Sequence, residues 1–191
     1  MPKIDSERFY TSAINMHGIT AKGVNWSSKK SQELRFKIIS KMLPKDIDSL
    51  VDAGCGFGDF YNYAQDKKIN IKEYIGIDSV TDMYSIASNN TGCEILIADI
   101  CNDKIPFGEY YICSGAMNVL NSFETHQFIQ NCFKNCGTAF IFNILYGKKE
   151  SETYNYISKS TIDIIAKNLN VKRVEILDNY MEDDITVGFF K

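Results

Sequence analysis

From residue 47 onward, short apolar runs alternate with stretches of helical periodicity. The runs are rich in Ile, Val, Tyr and Phe, and most are apolar almost without interruption. Strands have this pattern when helices cover both faces of a parallel sheet, because both faces of each strand are then buried. The predicted strands are 47–54, 73–79, 94–99, 109–115 and 138–145, and the predicted helices between them are 59–68, 81–89 and 123–135. The alternation predicts a doubly wound α/β fold with a mostly parallel sheet.

The last part of the chain breaks this alternation. A predicted helix over 157–168 precedes two predicted strands over 171–180 and 185–191. The segment between these two strands is too short for a crossover helix, so we expect an antiparallel hairpin at one side of the sheet. We then expect the acidic cluster at 182–184 to form a solvated hairpin turn.

The first 45 residues have weaker periodicity and are predicted to form an N-terminal helical cover over a core of residues 46–191. The clearest pattern there is a helix over 31–43, which Pro44 stops. Arg35 falls inside the apolar face of that helix. A buried guanidinium needs an anionic or carbonyl partner, or it must extend to solvent. Two interpretations stay open: an internal ion pair, or contact with an anionic group of a bound ligand.

Composition narrows the class of protein. The chain has 191 residues, of which 45% are hydrophobic and 24% are charged, as expected of a single globular domain. The net charge of −3 argues against a protein that grips nucleic acid backbones. Six scattered cysteines and two histidines offer little material for a metal site, and we expect none. An apolar leader and an apolar run of membrane-spanning length are both missing from the sequence, so we expect a cytoplasmic domain without a membrane span.

The segment VDAGCGFGDF, at 51–60, is the most informative stretch of the chain. An apolar strand runs through Asp52 into glycines at alternate positions, which let the backbone turn sharply beside a ligand. The dinucleotide fingerprint does not fit, because its third glycine would fall on Asp59 or Tyr61. An acid in the first helical turn is also unfavourable beside a pyrophosphate. The loop therefore favours a nucleoside that carries no phosphate.

Two aspartates at the ends of the next strands sharpen this prediction. Asp78 ends the second predicted strand, where a carboxylate can accept hydrogen bonds from both hydroxyls of a ribose. Asp99 ends the third strand, where it can accept a hydrogen bond from the exocyclic amine of a base. Each aspartate alone is better explained as a helix cap or a loop acid. Together with the glycine loop they predict a nucleoside site.

The four motifs VDAGCGFGDF, GIDSVTDM, LIADI and YYICSGAMNVL resemble, in order and spacing, those of class I S-adenosylmethionine-dependent methyltransferases. The resemblance covers 51–120 and implies a Rossmann-like, seven-stranded fold with S-adenosylmethionine (SAM) as cofactor. It implies that the glycine loop lines the methionine moiety, that Asp78 binds the ribose and that Asp99 with Ile100 holds the adenine. Ser114 and Gly115 would face the methyl group and the substrate. The cofactor-binding residues on this basis are Arg35, Asp52, Gly54, Cys55, Gly56, Asp78, Ser79, Met83, Asp99, Ile100, Ser114 and Gly115.

The chain departs from the family pattern in two places. Val80 stands where many relatives have a serine, although Met83 keeps the usual methionine. The fourth-strand motif lacks the Asn/Asp-Pro-Pro-aromatic signature of adenine-N6, cytosine-N4 and glutamine methyltransferases, which disfavours those acceptors. The segment 23–36 resembles the front helix of small bacterial relatives, which closes over the cofactor. There Arg35 would meet the cofactor carboxylate, with Trp26 or Tyr10 packed near the site.

The acceptor is harder to predict. Methyl transfer needs a general base only if the nucleophile starts protonated, and the candidates are His17, Tyr10 and Asn118. An ordinary surface or turn role is the alternative for each of them. The acidic balance and the lack of an added recognition domain favour a small-molecule acceptor over nucleic acid. The alternatives are a methyltransferase acting on protein or RNA, and a non-catalytic module that binds SAM.

Overall fold

The structure, a computed structural model, describes residues 4–191. One seven-stranded sheet is covered by six α-helices, and two short 3-10 turns, Ala21–Val24 and Ala116–Val119, lie in the loops. The strands are β1 (Asp46–Ala53), β2 (Asn70–Asp78), β3 (Glu94–Ile97), β4 (Gly108–Ser114), β5 (Cys136–Leu145), β6 (Arg173–Leu177) and β7 (Asp184–Phe190). The helices are α1 (Ser6–His17), α2 (Lys29–Ser40), α3 (Asp59–Asp66), α4 (Thr81–Thr91), α5 (Ser122–Asn135) and α6 (Lys159–Asn168).

The strand order across the sheet is β3-β2-β1-β4-β5-β7-β6. The first five of these strands are parallel, and β7 pairs antiparallel with both β5 and β6. The predicted Rossmann-like fold and the predicted C-terminal hairpin are both confirmed, with β6 at the edge of the sheet and β7 inside it. The chain moves outward from β1 to β3 and then returns to β4. In open α/β sheets, ligands bind at the carboxyl ends of the strands where the order reverses in this way.

Each face of the sheet carries its own hydrophobic layer. On one face, Phe140 and Phe142 of β5 pack with α5 and α6, and their rings are stacked at 4.8 Å between centroids. On the other face, Ala139 and Ile141 of the same strand pack with α2, α3 and α4. Both sets of side chains are fully buried. This two-sided burial explains why the strands are almost continuously apolar in sequence.

Local capping decides where the helices begin. The start predicted for α5 is confirmed by reciprocal hydrogen bonds: Glu124 N donates to Asn121 Oδ1 at 3.0 Å, and Asn121 N donates to Glu124 Oε2 at 3.1 Å. The helix predicted over 31–43 instead begins at Lys29, because Ser28 caps it, and it ends at Ser40. α3 and α4 begin at Asp59 and Thr81, as predicted.

Two interpretations of the C-terminal half are corrected. Asp184 was expected in a solvated turn, but it is only 2% exposed and is the first residue of β7. It lies inside because β7 pairs with β5 from Asp184 onward, which carries its side chain under the N-terminal cover. The helix predicted over 157–168 instead begins at Lys159, because Ser158 caps it. Cys132 lies in α5 and Cys136 is the first residue of β5. Both thiols are buried and free, as expected of small hydrophobic side chains.

Arg35 has its anionic partner within the protein. Its Nε donates a hydrogen bond to Asp184 Oδ2 at 2.8 Å, and its Nη2 donates to the same oxygen. The two side chains are 8% and 0% exposed. Of the two interpretations left open by the sequence, the structure shows the internal ion pair. The contact of Arg35 with a cofactor carboxylate is therefore not supported, because the guanidinium is already paired.

We expect the buried ion pair between Arg35 and Asp184 to stabilise the folded protein. Replacing Arg35 with Met leaves the Asp184 carboxylate buried without its cation, so we expect the free energy of unfolding to fall by about 3–5 kcal/mol. Lys149→Met, which removes an exposed pair with Asp183, is the control and should leave the free energy of unfolding close to that of the parent. Denaturant titrations of both variants measure this. Equal stability of Arg35→Met and the parent would contradict the role of the pair.

Candidate active site

A single cleft opens at the carboxyl ends of β1 to β4, at the point where the strand order reverses. Its volume is about 1080 Å³, including the open mouth, and it is lined by the glycine loop, the ends of four strands and the N-terminal cover. A cleft at this position in an α/β sheet is typical of a site for a small molecule.

The glycine loop brings main chain directly to the floor of this cleft. Gly54 has φ of +79°, and a Cβ added there would lie 2.3 Å from the Cβ of Ala116. The Gly54 N–H donates to the carbonyl oxygen of Ile77 at 2.7 Å, which fastens the loop to the end of β2. Only glycine fits this conformation and this close approach without strain. Cys55 and Gly56 follow it along the lining of the cleft.

Asp78 joins the glycine loop to the beginning of α4. One carboxylate oxygen accepts a hydrogen bond from Gly56 N at 2.9 Å, and the other accepts one from Val80 N at 3.0 Å. Burial raises the pKa of Asp78, and these backbone hydrogen bonds oppose the rise. A carboxylate has about four acceptor positions, so it can take further hydrogen bonds from a ligand. Ser79 and Met83 line the cleft beside it.

Asp99 and Ile100 follow β3 at the outer end of the cleft. Asp99 accepts hydrogen bonds from Cys101 N at 2.9 Å and from Asn102 Nδ2 at 2.6 Å, so it also organises its own loop. Ile100 is 4% exposed and presents an apolar surface. The loop-acid interpretation of Asp99 therefore holds, and it leaves acceptor positions on the carboxylate for a ligand.

Asp52 lies beneath the glycine loop and is 3% exposed. Its Oδ2 accepts a hydrogen bond from the Tyr74 hydroxyl at 2.7 Å. Burial raises the pKa of Asp52 to about 7, although the Tyr74 hydrogen bond lowers it. The carboxyl group is therefore half protonated near neutral pH, and a positive ligand above it would favour the ionised form.

The end of β4 forms the far side of the cleft. Ser114 Oγ donates a hydrogen bond to Asn143 Oδ1 at 2.9 Å. Gly115 has φ of +84°, and a Cβ added there would lie 2.5 Å from the Trp26 ring. Trp26 of the N-terminal cover therefore packs directly against Gly115. Asn118 also lines the cleft, but its Oδ1 accepts a hydrogen bond from Leu145 N at 3.1 Å, which ties the turn to β5.

The N-terminal cover reaches the cleft through Tyr10 and Trp26. Tyr10 packs against the apolar cluster of Phe57, Val80 and Met83. Burial raises the pKa of the Tyr10 hydroxyl well above its usual range, so this group stays protonated at neutral pH. Tyr10 in this state can donate a hydrogen bond but cannot act as a base.

The cleft brings together every cofactor-binding residue implied by the sequence except Arg35. His17 also lies elsewhere: it is exposed at the end of α1 and faces a separate shallow groove. The sequence reasoning missed lining residues that come from distant segments of the chain, namely Ser6, Val24, Asn25 and Tyr154. Nothing in the local sequence marks these residues, since only the tertiary fold brings them to the site.

The charge of the lining is one-sided. Asp52, Asp59, Asp78 and Asp99 all line the cleft, whereas none of the lining residues in the described part of the chain is Lys, Arg or His. Such a site attracts cationic groups and disfavours phosphates. Within residues 4–191, no group of three or more His, Cys, Asp or Glu side chains is arranged to hold a metal ion. The same residues include no helix long and apolar enough to cross a bilayer.

Comparison with known proteins identifies the fold. The sequence matches no family model and no curated protein. Among solved structures, the chain is similar to a SAM-dependent methyltransferase from Clostridium acetobutylicum, with 16% identity, a TM-score of 0.68 and coverage of 95% of this chain and 98% of that one. It is also similar to the magnesium protoporphyrin IX methyltransferase from Synechocystis with bound S-adenosylhomocysteine (SAH), with 12% identity, a TM-score of 0.68 and coverage of 84% and 83%.

A third similar structure is the complex between the Haloferax volcanii Trm112 methyltransferase activator and a methyltransferase candidate. It has 15% identity, a TM-score of 0.73 and coverage of 98% of this chain and 99% of that one. At these identities the likeness concerns the fold. The fold that the motifs imply, that of class I SAM-dependent methyltransferases, is confirmed.

Asp52 makes a prediction about stability and pH. Its pKa is higher in the folded protein than in the unfolded chain, so its contribution to stability is present at low pH and is lost as pH rises from about 4 to about 7. Asp52→Asn keeps an acceptor for Tyr74 and removes the charge. We expect this variant to be more stable than the parent at pH 8, by about 1–4 kcal/mol.

Denaturant titrations at pH 5 and pH 8 test this expectation. The control is Asp48→Asn, an exposed aspartate on the same strand, which should shift stability by less than about 1 kcal/mol. A lower stability of Asp52→Asn at pH 8 would contradict a strained buried carboxylate.

Proposed function

We propose that this protein is a SAM-dependent methyltransferase that acts on a small-molecule acceptor. The observation that carries the proposal is the meeting of the glycine loop, Asp78 and Asp99 in one acidic cleft. SAM carries a sulfonium and an ammonium group but no phosphate, which suits a cleft lined by carboxylates. Structures of the same fold include one with bound SAH and one with bound SAM, which supports the same cofactor here.

The strand order gives the cofactor a direction in the cleft. The strands β3, β2, β1 and β4 are neighbours in that sequence, so their carboxyl ends lie side by side. We assign the adenine to Asp99 and Ile100 at β3, and the ribose to Asp78 at β2 with Ser79 and Met83 beside it. The methionine moiety is assigned to the loop after β1, with Asp52, Gly54, Cys55 and Gly56. The methyl group then points toward Ser114 and Gly115 at β4.

The protein's part in the reaction is alignment and exclusion of water. SAM supplies an electrophilic methyl group on a positively charged sulfur. A lone pair of the acceptor forms the new bond to carbon while the pair of the carbon–sulfur bond returns to sulfur. The Trp26 ring and the end of β4 would hold the acceptor in line with that bond, which lowers the entropic part of the barrier. The adjacent cover shields the reacting atoms from solvent.

General base catalysis has little support in the cleft. Tyr10 stays protonated, Asn118 is held by β5 and His17 lies outside. We therefore propose an acceptor whose nucleophilic atom has a free lone pair and releases any proton to water after transfer. The carboxylate lining and the lack of lining cations favour an acceptor that is neutral or cationic.

We also propose that the acceptor is a small molecule and that the protein is cytoplasmic. The cleft is roofed by Tyr10 and Trp26, which suits a small molecule better than a strand of RNA or a protein tail. In the part of the chain that the structure describes, no cysteine takes part in a disulfide, which suits a reducing compartment. Methyl transfer to a protein or RNA remains the alternative that an acceptor screen with radiolabelled SAM distinguishes.

Asp78 provides the most direct mutational test of cofactor binding. We expect Asp78→Ala to weaken the binding of SAH by about 1–3 kcal/mol, because buried ribose hydroxyls would lose their acceptor. Asp66→Ala, an exposed aspartate at the end of α3, is the control and should bind like the parent. Titration calorimetry, with thermal unfolding as a check on folding, measures both. Parent-like affinity of Asp78→Ala would refute the assignment of the ribose.

Asp52 predicts the pH dependence of the same equilibrium. The ammonium group of SAH would lie above Asp52 and bind its ionised carboxylate more tightly, so SAH affinity should rise with pH up to about 7 and then level off. Asp52→Asn should bind weakly and without this dependence between pH 5.5 and 8. Calorimetry across that range measures both proteins. A parent affinity that falls or stays flat as pH rises to 7 would contradict the proposed place of the methionine moiety.

A further inference from the structure

A buried chain of hydrogen bonds runs from the cleft across the neighbouring strands β4, β5 and β7. Ser114 Oγ donates to Asn143 Oδ1 at 2.9 Å, and Asn143 Nδ2 donates to Thr186 Oγ1 at 2.5 Å. Thr186 Oγ1 lies 2.8 Å from the Tyr180 hydroxyl, which in turn donates to Asp184 Oδ1. Asn143 and Thr186 are completely buried. We call this chain of hydrogen bonds, from Ser114 through Asn143, Thr186 and Tyr180 to Asp184, the relay. Of its residues, only Ser114 lines the cleft.

The charge of Asp184 fixes the direction of every bond in the relay. Burial raises the pKa of Asp184, and the ion pair with Arg35 opposes this rise. In the ionised form that pairs with Arg35, the carboxylate can only accept hydrogen bonds. It takes the single proton of Tyr180, so the Thr186 hydroxyl must donate to the Tyr180 oxygen. Thr186 then has only lone pairs left for Asn143, and the Asn143 amide must direct its NH₂ group toward Thr186.

The carbonyl oxygen of Asn143 is therefore the group that faces Ser114. It accepts the Ser114 proton, so the lone pairs of Ser114 Oγ are what the hydroxyl offers to the cleft. A flipped Asn143 amide would leave the Thr186 and Tyr180 oxygens 2.8 Å apart with no proton between them. The relay thus makes Ser114 a hydrogen-bond acceptor.

A second connection runs from the same carboxylate to the same end of the cleft. The guanidinium of Arg35, paired with Asp184, lies 4.5 Å from the centroid of the Trp26 ring. The Trp26 ring also lies against Gly115. Asp184 therefore reaches two consecutive residues of the β4 end: Ser114 through the relay, and Gly115 through Arg35 and Trp26.

We propose that Asp184 is a positioning residue that prepares the methyl-transfer end of the cleft, orienting the Ser114 hydroxyl as an acceptor and holding Trp26 against Gly115. That methyl transfer takes place at this end of the cleft rests on the proposed function. Asp184 itself does not line the cleft, so it acts only through these other side chains. The outward lone pairs of Ser114 favour a positively charged or hydrogen-bond-donating group beside them. That property selects SAM over the uncharged sulfide SAH, and it selects acceptors that carry an N–H or O–H donor.

The test uses Asp184→Asn and two readouts that a merely structural role would leave unchanged. Trp26 is the single tryptophan of the chain, so fluorescence quenching by acrylamide reports its exposure directly. We expect the variant to show stronger quenching of Trp26 than the parent. We also expect its affinity for SAM to fall by about threefold or more relative to its affinity for SAH, the loss of part of one hydrogen bond.

Asp183→Asn is the matched control, because the same chemical change falls on the neighbouring residue. Asp183 pairs with Lys149 at the surface and takes no part in the relay. It should have the quenching and the SAM-to-SAH affinity ratio of the parent.

Thr186→Val separates the two connections and serves if Asp184→Asn does not fold. It removes the relay hydroxyl but leaves Arg35, Asp184 and Trp26 in place. We expect a reduced preference for SAM over SAH with unchanged quenching of Trp26. The proposal is overturned if Thr186→Val keeps the parent ratio, or if a folded Asp184→Asn has both the ratio and the quenching of the parent.

Failure of the proposed function gives a different result. A parent protein that binds neither SAM nor SAH refutes the proposed cofactor. The quenching of Trp26 in Asp184→Asn then still decides whether Asp184 positions Trp26. A parent that binds both ligands, with variants that behave like it in both readouts, overturns the positioning role alone.

Discussion

The hydrogen bond from the Gly56 backbone to the Asp78 carboxylate, at 2.9 Å, joins the glycine loop to the end of the neighbouring strand. The cleft depends on this contact, because it sets the distance between the loop after β1 and the loop after β2. The loop follows this path because Gly54 and Gly56 both have positive φ, and a Cβ at Gly54 would collide with Ala116. The reversal of strand order beside β1 then leaves the space above both loops open. A conformational requirement of the backbone thus becomes a binding site.

The cleft concentrates acids that the protein does not neutralise. Four aspartates line it without a lining cation in the described residues, and burial raises the pKa of Asp52 to about 7. Such an arrangement opposes folding, because a desolvated carboxyl group resists ionisation. A cationic ligand would relieve that cost. Strain of this kind is typical of sites where stability is given up for binding.

The sequence predicted those parts of the structure that depend on local pattern. The strands of the sheet follow from continuous apolar runs, and the start of α5 follows from the Asn121 and Glu124 capping pair. The lining role of Gly54, Asp78 and Asp99 follows from their place at successive strand ends, where the topology brings them together.

What the sequence left open depends on contacts between distant residues. Arg35 and Asp184 are 149 positions apart, so the apolar face of α2 revealed the need for a partner but not its identity. Asp184 belongs to an acidic run beside a short hairpin, which normally indicates a solvated turn, and only the burial of β7 shows otherwise. The seat of Trp26 on Gly115 likewise has no local signal.

A crystal structure of the protein with bound SAH tests the central claim most directly. The account predicts both ribose hydroxyls within hydrogen-bond distance of the Asp78 carboxylate and the adenine beside Asp99 and Ile100. The sulfur should then face Ser114 and Gly115 at the end of β4. A nucleoside bound elsewhere, or a cleft in which both carboxylates turn away from the ligand, would contradict it.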